Sequence, residues 1–199
     1  RFRALARPTA RDGKTEELPR PFDTQRNGYL AGDGGTILVL ERDQHAKARG
    51  ARVLARVGDS ARAFDPTAPR TGHGRDSAAL AARLQERLGP QLRTVDTVIS
   101  SASGARRGDA LEAEILRTVL PKLPQVLAPK SVTGEFGGGT LGAAMLALIG
   151  TNFGKPQGCT QPDPNIGIEL ADGLIHAQHI LCSAHAAGGV SSWLTLSQP

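Results

Sequence analysis

Residues 95–129 read VDTVISSASGARRGDALEAEILRTVLPKLPQVLAP, and this stretch sets the fold class. Its two ends, VDTVISS at 95–101 and QVLAP at 125–129, are short apolar runs that predict strands. Between them, apolar residues recur at helical spacing and predict a helix over residues 109–120. These are Leu111, Ile115, Leu116 and Val119. Strands that alternate with helices are typical of an α/β layered architecture with a largely buried sheet.

The same alternation extends upstream of this stretch. The sequence SAALAARLQERL predicts a helix that Asp76 or Ser77 caps and that Gly89 and Pro90 end. Its apolar stripe consists of Leu80, Ala81, Leu84 and Leu88. Residues 60–74 have the composition of a loop.

Nearer the start, residues 37–40 (ILVL) form a continuous apolar run typical of a strand buried on both faces. Residues 42–49 predict a helix that stops at Gly50, and ARVLARV at 51–57 predicts another strand. Residues 1–19 have no sustained period, so we expect an irregular N-terminal segment followed by one domain over residues 20–199.

Downstream, a Gly-rich turn at 134–139 leads into TLGAAMLALIG, an Ala-rich helix able to pack closely against other backbone. Three further strands are expected around residues 166–171, 178–183 and 191–196.

The amino-acid composition argues against a membrane or nucleic-acid partner. The 199 residues carry 24 Lys and Arg against 19 Asp and Glu, a formal net charge of +5. No apolar run approaches the length that spans a bilayer and no signal-peptide pattern is visible, which predicts a cytoplasmic protein without a membrane partner. Aromatic residues make up 4% of the chain, too few for the stacking platforms of nucleic-acid binding. Scattered arginines indicate a solvated surface or a docking face for an acidic partner.

Three short motifs superficially match a cofactor, metal or nucleophile site, but none of them predicts one. Gly137-x-Gly139-x-x-Gly142 matches the dinucleotide fingerprint formally, but it does not follow its strand directly, so close helix packing explains it better. Among the histidines His176, His179 and His185, the first two differ by an odd number and point to opposite faces of a strand. Ser103 is not in a nucleophile elbow.

The two cysteines, Cys159 and Cys182, lack the spacing of a zinc site or a disulfide framework. We expect neither to do redox chemistry.

Four segments in fixed order resemble the β-ketoacyl synthases. RPFDTQRNGYLAGDGGTILVLERDQHAKARGA (20–51) is similar to their central stretch, where Arg-Pro-Phe-Asp precedes a Gly-rich turn, an apolar strand and a helix. ISSASGARRGDALEAEIL (99–116) stands where the family has Asn-Ala-His-Gly-Thr and Asp-x-x-Glu. APKSVTGEFGGGTLGAA (128–144) stands at Lys-Ser-x-x-Gly-His, and CSAHAAGGVSSWLTL (182–196) at Asn-Ser-Phe-Gly-Phe-Gly-Gly-Thr-Asn.

The resemblance implies a thiolase-like fold, of which this chain is the C-terminal half: layered α-β-α with a mixed five-stranded sheet. A first half that is not in this chain would complete it. Family members are about twice as long and carry their nucleophilic Cys in that first half, so neither cysteine here occupies the nucleophile's position.

The departures from the family pattern concern its chemistry. Two family histidines hold the malonyl thioester carbonyl, and on alignment they fall at Ser103 and Glu135. Lys130, Asp109 and Glu112 are retained, and we expect them to hold the loops around the site, with surface charge as the alternative for each of them. The family's gating Phe positions have become His185 and Ala187, ahead of Gly188 and Gly189.

A ketosynthase-like chain without these histidines is most similar to the chain-length-factor subunits of type II polyketide synthases. The resemblance therefore implies a non-catalytic component that pairs with an active ketosynthase and that a polypeptide with the N-terminal half completes. Three alternatives remain: the first half belongs to the same, longer polypeptide; the chain is part of an active split synthase with catalytic residues supplied in trans; or it is a module that binds an acidic acyl carrier protein. No cofactor is implied.

Overall fold

The computed structural model describes residues 17–199. The irregular segment predicted for residues 1–19 therefore lies, as far as residue 16, outside the described residues. The helices are α1 Asp43–Ala48, α2 Ser77–Leu92, α3 Arg106–Val119, α4 Lys130–Thr133 and α5 Gly139–Ile149. The strands are β1 Arg56–Phe64, β2 Thr97–Ile99, β3 Gln125–Leu127, β4 Thr151–Phe153, β5 Gly173–Ile175, β6 His179–His185 and β7 Val190–Ser197.

Five strands form one mixed sheet in the order β1-β7-β6-β2-β3. The strand β2 pairs in parallel with both β3 and β6, whereas β7 pairs antiparallel with β6 and β1. The short strands β4 and β5 form a separate antiparallel pair. The mixed five-stranded sheet implied by the resemblance is therefore confirmed.

Two apolar clusters cover the two faces of this sheet and give the layered α-β-α arrangement. One cluster joins α2 and α3 to the face that carries Leu181 and Trp193. The other joins α5 to the opposite face, which carries Ile180, Cys182 and Leu196. Residues on β6 and β7 alternate between the clusters because successive side chains of a strand point to opposite faces.

Helices α2 and α3 bury the stripes that the sequence indicates. Leu80, Leu84 and Leu88 are fully buried, and Asp76 caps α2 by accepting a hydrogen bond from the Ala79 amide at 2.9 Å. The predicted stop at Gly89 and Pro90 is wrong, since α2 continues to Leu92. Leu92 buries its side chain in the same cluster as Leu88, which offsets the helix hydrogen bond that Pro90 cannot donate.

Other expected boundaries also shift. The strand predicted at 51–57 begins only at Arg56 and continues to Phe64, so the following loop starts at residue 65. No strand lies at 166–171. The backbone there is irregular, and the side chains of Ile166 and Ile168 are buried. The predictions for 95–101, 125–129, 178–183 and 191–196 are confirmed within a few residues.

The run at 37–40 departs furthest from expectation. It forms no strand, and Ile37, Val39 and Leu40 are 94%, 80% and 77% exposed. The prediction of a strand buried on both faces is therefore wrong for the described residues 17–199. These side chains line an open apolar groove of about 640 Å³ together with Leu54 before β1, Val57 of β1, Met145 of α5 and Leu194 of β7.

Candidate functional site

The candidate residues gather at one edge of the sheet. Because β6, β2 and β3 are parallel neighbours, their carboxyl ends meet at the same edge, which is where open α/β sheets usually bind ligands. Ser103 follows β2, Lys130 and Glu135 follow β3, and His185 ends β6. The strand β1 runs in the same direction as β6 because both are antiparallel to β7, so the loop after β1 reaches this edge too.

Asp109 shapes the loop that carries Ser103. It lies in the first turn of α3 with 0% exposure and accepts hydrogen bonds from the backbone amides of Ser103 at 3.1 Å and Gly104 at 3.2 Å. The same carboxyl accepts a bond from the amide of Phe22 at 2.9 Å. Burial raises the pKa of Asp109 to about 7, against the opposing effect of the Phe22 and Ser103 amides.

Glu112 lies one turn later on α3 and ties that helix to two strand ends. It accepts bonds from the Ser100 hydroxyl at 2.9 Å, the Ser101 amide at 3.1 Å and the Ser101 hydroxyl at 3.2 Å, and also from the hydroxyl of Ser183 on β6. Glu112 is 1% exposed. The surface-charge alternative is therefore wrong for Asp109 and Glu112.

Lys130 and Glu135 form an ion pair beside this network. Lys130 opens α4, and its Nζ lies 2.7 Å from Glu135 Oε1. Gly134, with φ of 69°, reverses the chain between them, and the Glu135 amide then donates to the carbonyl of Leu30 at 2.7 Å. Lys130 is largely buried and Glu135 is partly buried. The Lys130 ammonium is therefore already paired with a carboxylate.

The turn between β6 and β7 closes the site on its other side. Gly188 and Gly189 have φ of 89° and 95°, a region that favours glycine, while Ala187 is exposed. His185 precedes the turn, with its Nδ1 2.9 Å from Ser191 Oγ and its ring edge-on to Trp193 at 5.5 Å between centroids. Burial lowers the pKa of His185; Glu112 opposes that shift and Lys130 adds to it.

Sequence reasoning missed His73, which the loop after β1 brings to the same edge. Its ring packs on the start of α3, where a Cβ at Gly108 would lie 2.7 Å from the imidazole Nε2. Burial lowers the pKa of His73, and the nearby His185 and Lys130 add to the effect. The sequence did contain a signal for His73, because this residue follows a strand parallel to those that carry the other candidates. That strand was predicted at residues 51–57, however, which is too early in the chain.

The remaining sequence motifs, which involve the cysteines, the fingerprint glycines and two histidines, either lie away from this edge of the sheet or have a packing role. Burial raises the pKa of both Cys159 and Cys182 to about 12, so each is a thiol rather than a nucleophilic thiolate at neutral pH. Of the fingerprint glycines, Gly139 and Gly142 match the close-packing interpretation, because a Cβ there would lie 3.2 Å from Thr133 Oγ1 and from Thr36 Oγ1, respectively. The interpretation is wrong for Gly137, where a Cβ would meet no atom within 4 Å. His176 and His179 are exposed, and within residues 17–199 no cluster of three or more metal-ligating side chains occurs.

No helix in the described part of the chain combines the length and apolarity that a bilayer crossing requires.

Comparisons with known proteins agree with this architecture. The chain is 33% identical to 3-oxoacyl-[acyl-carrier-protein] synthase 2 of Mycobacterium bovis over 168 residues, which cover 77% of this chain and 39% of that protein. It is 34% identical to the tetracenomycin polyketide synthase ketoacyl synthase beta subunit of Streptomyces glaucescens over 189 residues, 88% of this chain and 45% of the relative.

Among solved structures, the ishigamide ketosynthase/chain length factor superposes with a TM-score of 0.77 at 25% identity, covering 98% of this chain and 52% of that one. No family model matches the sequence. The chain thus spans half or less of the length of the curated relatives that it matches.

The fold and these matches place the chain in the thiolase-like superfamily, as the C-terminal half of a β-ketoacyl synthase-like protein. The resemblance to chain-length-factor subunits within that group is confirmed as well.

Proposed function

We propose that this chain is a non-catalytic, chain-length-factor type component of polyketide or fatty-acid-like biosynthesis, with residues 20–199 as its ketosynthase-like half-domain. It would pair with an active ketosynthase in the decarboxylative condensation of acyl and malonyl carrier-protein thioesters. The observation that carries this proposal is the Lys130–Glu135 ion pair, 2.7 Å long, at a position where the ketosynthase pattern has a histidine.

Decarboxylation of a malonyl thioester leaves an enolate, and hydrogen-bond donors aimed at its oxygen stabilise it. A carboxylate held by Lys130 donates no hydrogen bond and repels developing negative charge. Ser103 offers one short hydroxyl, and the amide of the same residue is already bonded to Asp109. Losing one preorganised donor costs roughly 10² to 10³ in rate, so a site that has lost both is expected to be inactive.

The exposed apolar run supports an N-terminal half of the fold that covers it, and under this proposal a second polypeptide supplies that half. Three of the four side chains of this run, those of Ile37, Val39 and Leu40, are more than three-quarters exposed and line an apolar groove. Large exposed apolar patches mark interaction sites. Relatives of about twice this length contain the additional chain that could cover this surface.

Pairing with a ketosynthase and transient binding of an acidic carrier protein follow from the same proposal. One similar structure is itself described as a ketosynthase/chain length factor. The formal net charge of +5 favours an acidic partner, although exposed ion pairs contribute only about 0 to 1 kcal/mol each. A cytoplasmic location belongs to this proposal and rests on the sequence pattern.

A decarboxylation assay tests the proposal. The chain, purified with the partners that accompany it, is mixed with malonyl-loaded carrier protein, and release of carbon dioxide is followed for the wild type, Ser103→Ala and Glu135→Gln. We expect both variants to match the wild type, because neither residue acts on the substrate. The control is Glu114→Gln, an exposed acid on α3.

A fall of about a hundredfold in Glu135→Gln but not in the control would show that the carboxylate takes part in chemistry, and the non-catalytic proposal would be wrong. The chain would then be interpreted as part of an active split synthase.

A further inference from the structure

Residues 20–28 begin with a turn whose backbone is strained. The Asp23 amide donates to the carbonyl of Arg20 at 3.3 Å, so Pro21 and Phe22 are the two central residues of this turn. Phe22 has φ of 59°, in the left-handed region, for which Gly or Asn is the usual residue at the second central position. A bulky side chain rarely adopts this conformation, which persists only where the surrounding contacts over-determine it.

Phe22 is held from two sides by hydrogen bonds. Its amide donates to Asp109 Oδ2 at 2.9 Å, and its carbonyl accepts a bond from the Asp163 amide at 2.9 Å. Its ring is 1% exposed and packs in the apolar cluster of α2 and α3. The same Asp109 carboxyl accepts a bond from the Ser103 amide, so release of Phe22 alters the support of the loop that carries Ser103.

Residues 20–28 are fastened on one side to the loop between β2 and α3. The Gly28 amide donates to the carbonyl of Gly104 at 2.9 Å, and Arg106 Nε donates to the carbonyl of Arg26 at 2.9 Å. The contact is close, since a Cβ at Gly104 would lie 2.5 Å from the Gly28 carbonyl oxygen. The two segments therefore cannot move independently at this junction.

The other side is fastened to residues 156–163, in the connection from β4 to β5. The Thr24 amide donates to the carbonyl of Gln161 at 2.9 Å, and Arg26 Nη1 lies 2.6 Å from Asp163 Oδ2. The two charged side chains are 11% and 12% exposed. Removing one of them would leave the other largely buried without its partner, which is strongly unfavourable.

The thiol of Cys159 packs against the strained turn. It is 8% exposed, and its Sγ donates to the carbonyl of Pro21 at 3.4 Å. Cys182 is similarly buried, but it lies within β6, between two paired strands of the sheet. Displacement of residues 20–28 would thus uncover Cys159, whereas Cys182 becomes accessible only when the sheet itself opens.

We propose that residues 20–28 form a strap, and that this strap, the loop between β2 and α3, and residues 156–163 open and close as one unit. Phe22 is the positioning residue of the closed unit, because its amide shares the Asp109 carboxyl with the loop that carries Ser103. Release lets the strained backbone relax and loosens the Ser103 loop. The strap goes beyond the proposed function, because it requires neither a substrate nor a partner.

Amide hydrogen exchange on the full chain, compared between the wild type and Asp163→Asn, tests the strap. The substitution removes the charge that pairs with Arg26 while changing the side chain little in size. We expect exchange to rise by about tenfold or more at residues 22–28 and 103–104, and not in α2. Residues 103–104 bond to Asp109 rather than to Asp163, so a rise there reports the coupling.

The matched control is Glu169→Gln, an exposed acid in the same connection, which should leave exchange unchanged. A rise at residues 22–28 without one at 103–104 would overturn the proposal, and so would no rise at either segment. An equal rise in α2 would also overturn it, because the whole chain would then be opening.

Thiol labelling with dithionitrobenzoate gives a second readout that the wild type alone provides. We expect Cys159 to be labelled faster than Cys182, with an opening equilibrium equal to that of the Gly28 amide. Asp163→Asn should speed the labelling of Cys159 by the same factor as its effect on exchange, and should leave Cys182 unchanged. Equal labelling of both thiols in the wild type would contradict the strap, since both would then depend on unfolding of the sheet.

Discussion

The sheet edge and the apolar run at 37–40 show opposite relations between polarity and burial. At the edge, the carboxyl groups of Asp109 and Glu112 are almost completely inaccessible. At the run, Ile37 and Val39 are almost completely accessible. Each is the reverse of the usual preference of its residue type.

Hydrogen-bond partners, and not polarity alone, therefore decide which of these side chains are buried. Both acids find several donors within the chain, which makes their burial tolerable. The apolar run has no comparable cover within residues 17–199, and under our proposal its cover comes from another polypeptide. Three substitutions test this contrast.

The largest effect is expected from Glu112→Ala. Removing the carboxylate leaves the donors of Ser100, Ser101 and Ser183 buried without an acceptor, and each such group costs about 1–3 kcal/mol. We expect the free energy of unfolding in urea to fall by about 3 kcal/mol or more. Glu114→Ala, two positions along the same helix and exposed, should change it by less than about 0.5 kcal/mol. Equal losses in the two variants would contradict the role given to Glu112.

A smaller and pH-dependent effect is expected from Asp109→Asn. The pKa of Asp109 is raised from 3.8 to about 7 in the folded chain, so the folded protein binds more protons than the unfolded chain between these values. The stability from this group is therefore present below pH 3.8 and is lost as the pH rises through 7. We expect the variant to lose less stability than the wild type between pH 5 and pH 8, as measured by urea unfolding.

The control for this titration is Asp33→Asn, at an exposed position. It should keep the wild-type slope of stability against pH. A wild-type slope in Asp109→Asn would show that the carboxyl ionises normally despite its burial.

The smallest effect on stability is expected from Val39→Lys. Because Val39 is 80% exposed, the substitution should change the free energy of unfolding by less than about 0.5 kcal/mol. It should, however, weaken association through the apolar run, which light scattering of the purified chain and co-purification of the partner polypeptide would detect. Val132→Lys, a similarly exposed position on α4, should leave association unchanged. Association that survives Val39→Lys would argue against this surface as an interface.

Periodicity predicted the elements whose apolar residues pack within the chain. The stripes of α2 and α3 and the strands β2, β3, β6 and β7 were all indicated by the sequence. Periodicity failed at 37–40, where the described residues 17–199 leave the apolar run exposed. It also failed at Pro90, where packing of Leu92 outweighs a local helix breaker.

For the site, the aligned motifs indicated Ser103, Lys130, Glu135 and His185, which the parallel strands bring to one edge. The motifs gave no sign of the Lys130–Glu135 ion pair or of His73, because both depend on how loops fold back in three dimensions.

The order of strands has a consequence for how the chain acquires its structure. Among the strands of residues 17–199, β1 pairs with β7 alone, although Arg56 and its partner Ser197 are separated by most of the sequence. During synthesis β1 therefore emerges from the ribosome well before its neighbour exists, and it must wait while nearly all of the intervening polypeptide is made. Such distant pairing is slow and leaves an unsatisfied strand available for misassembly, so a chaperone has its greatest opportunity to act in that interval.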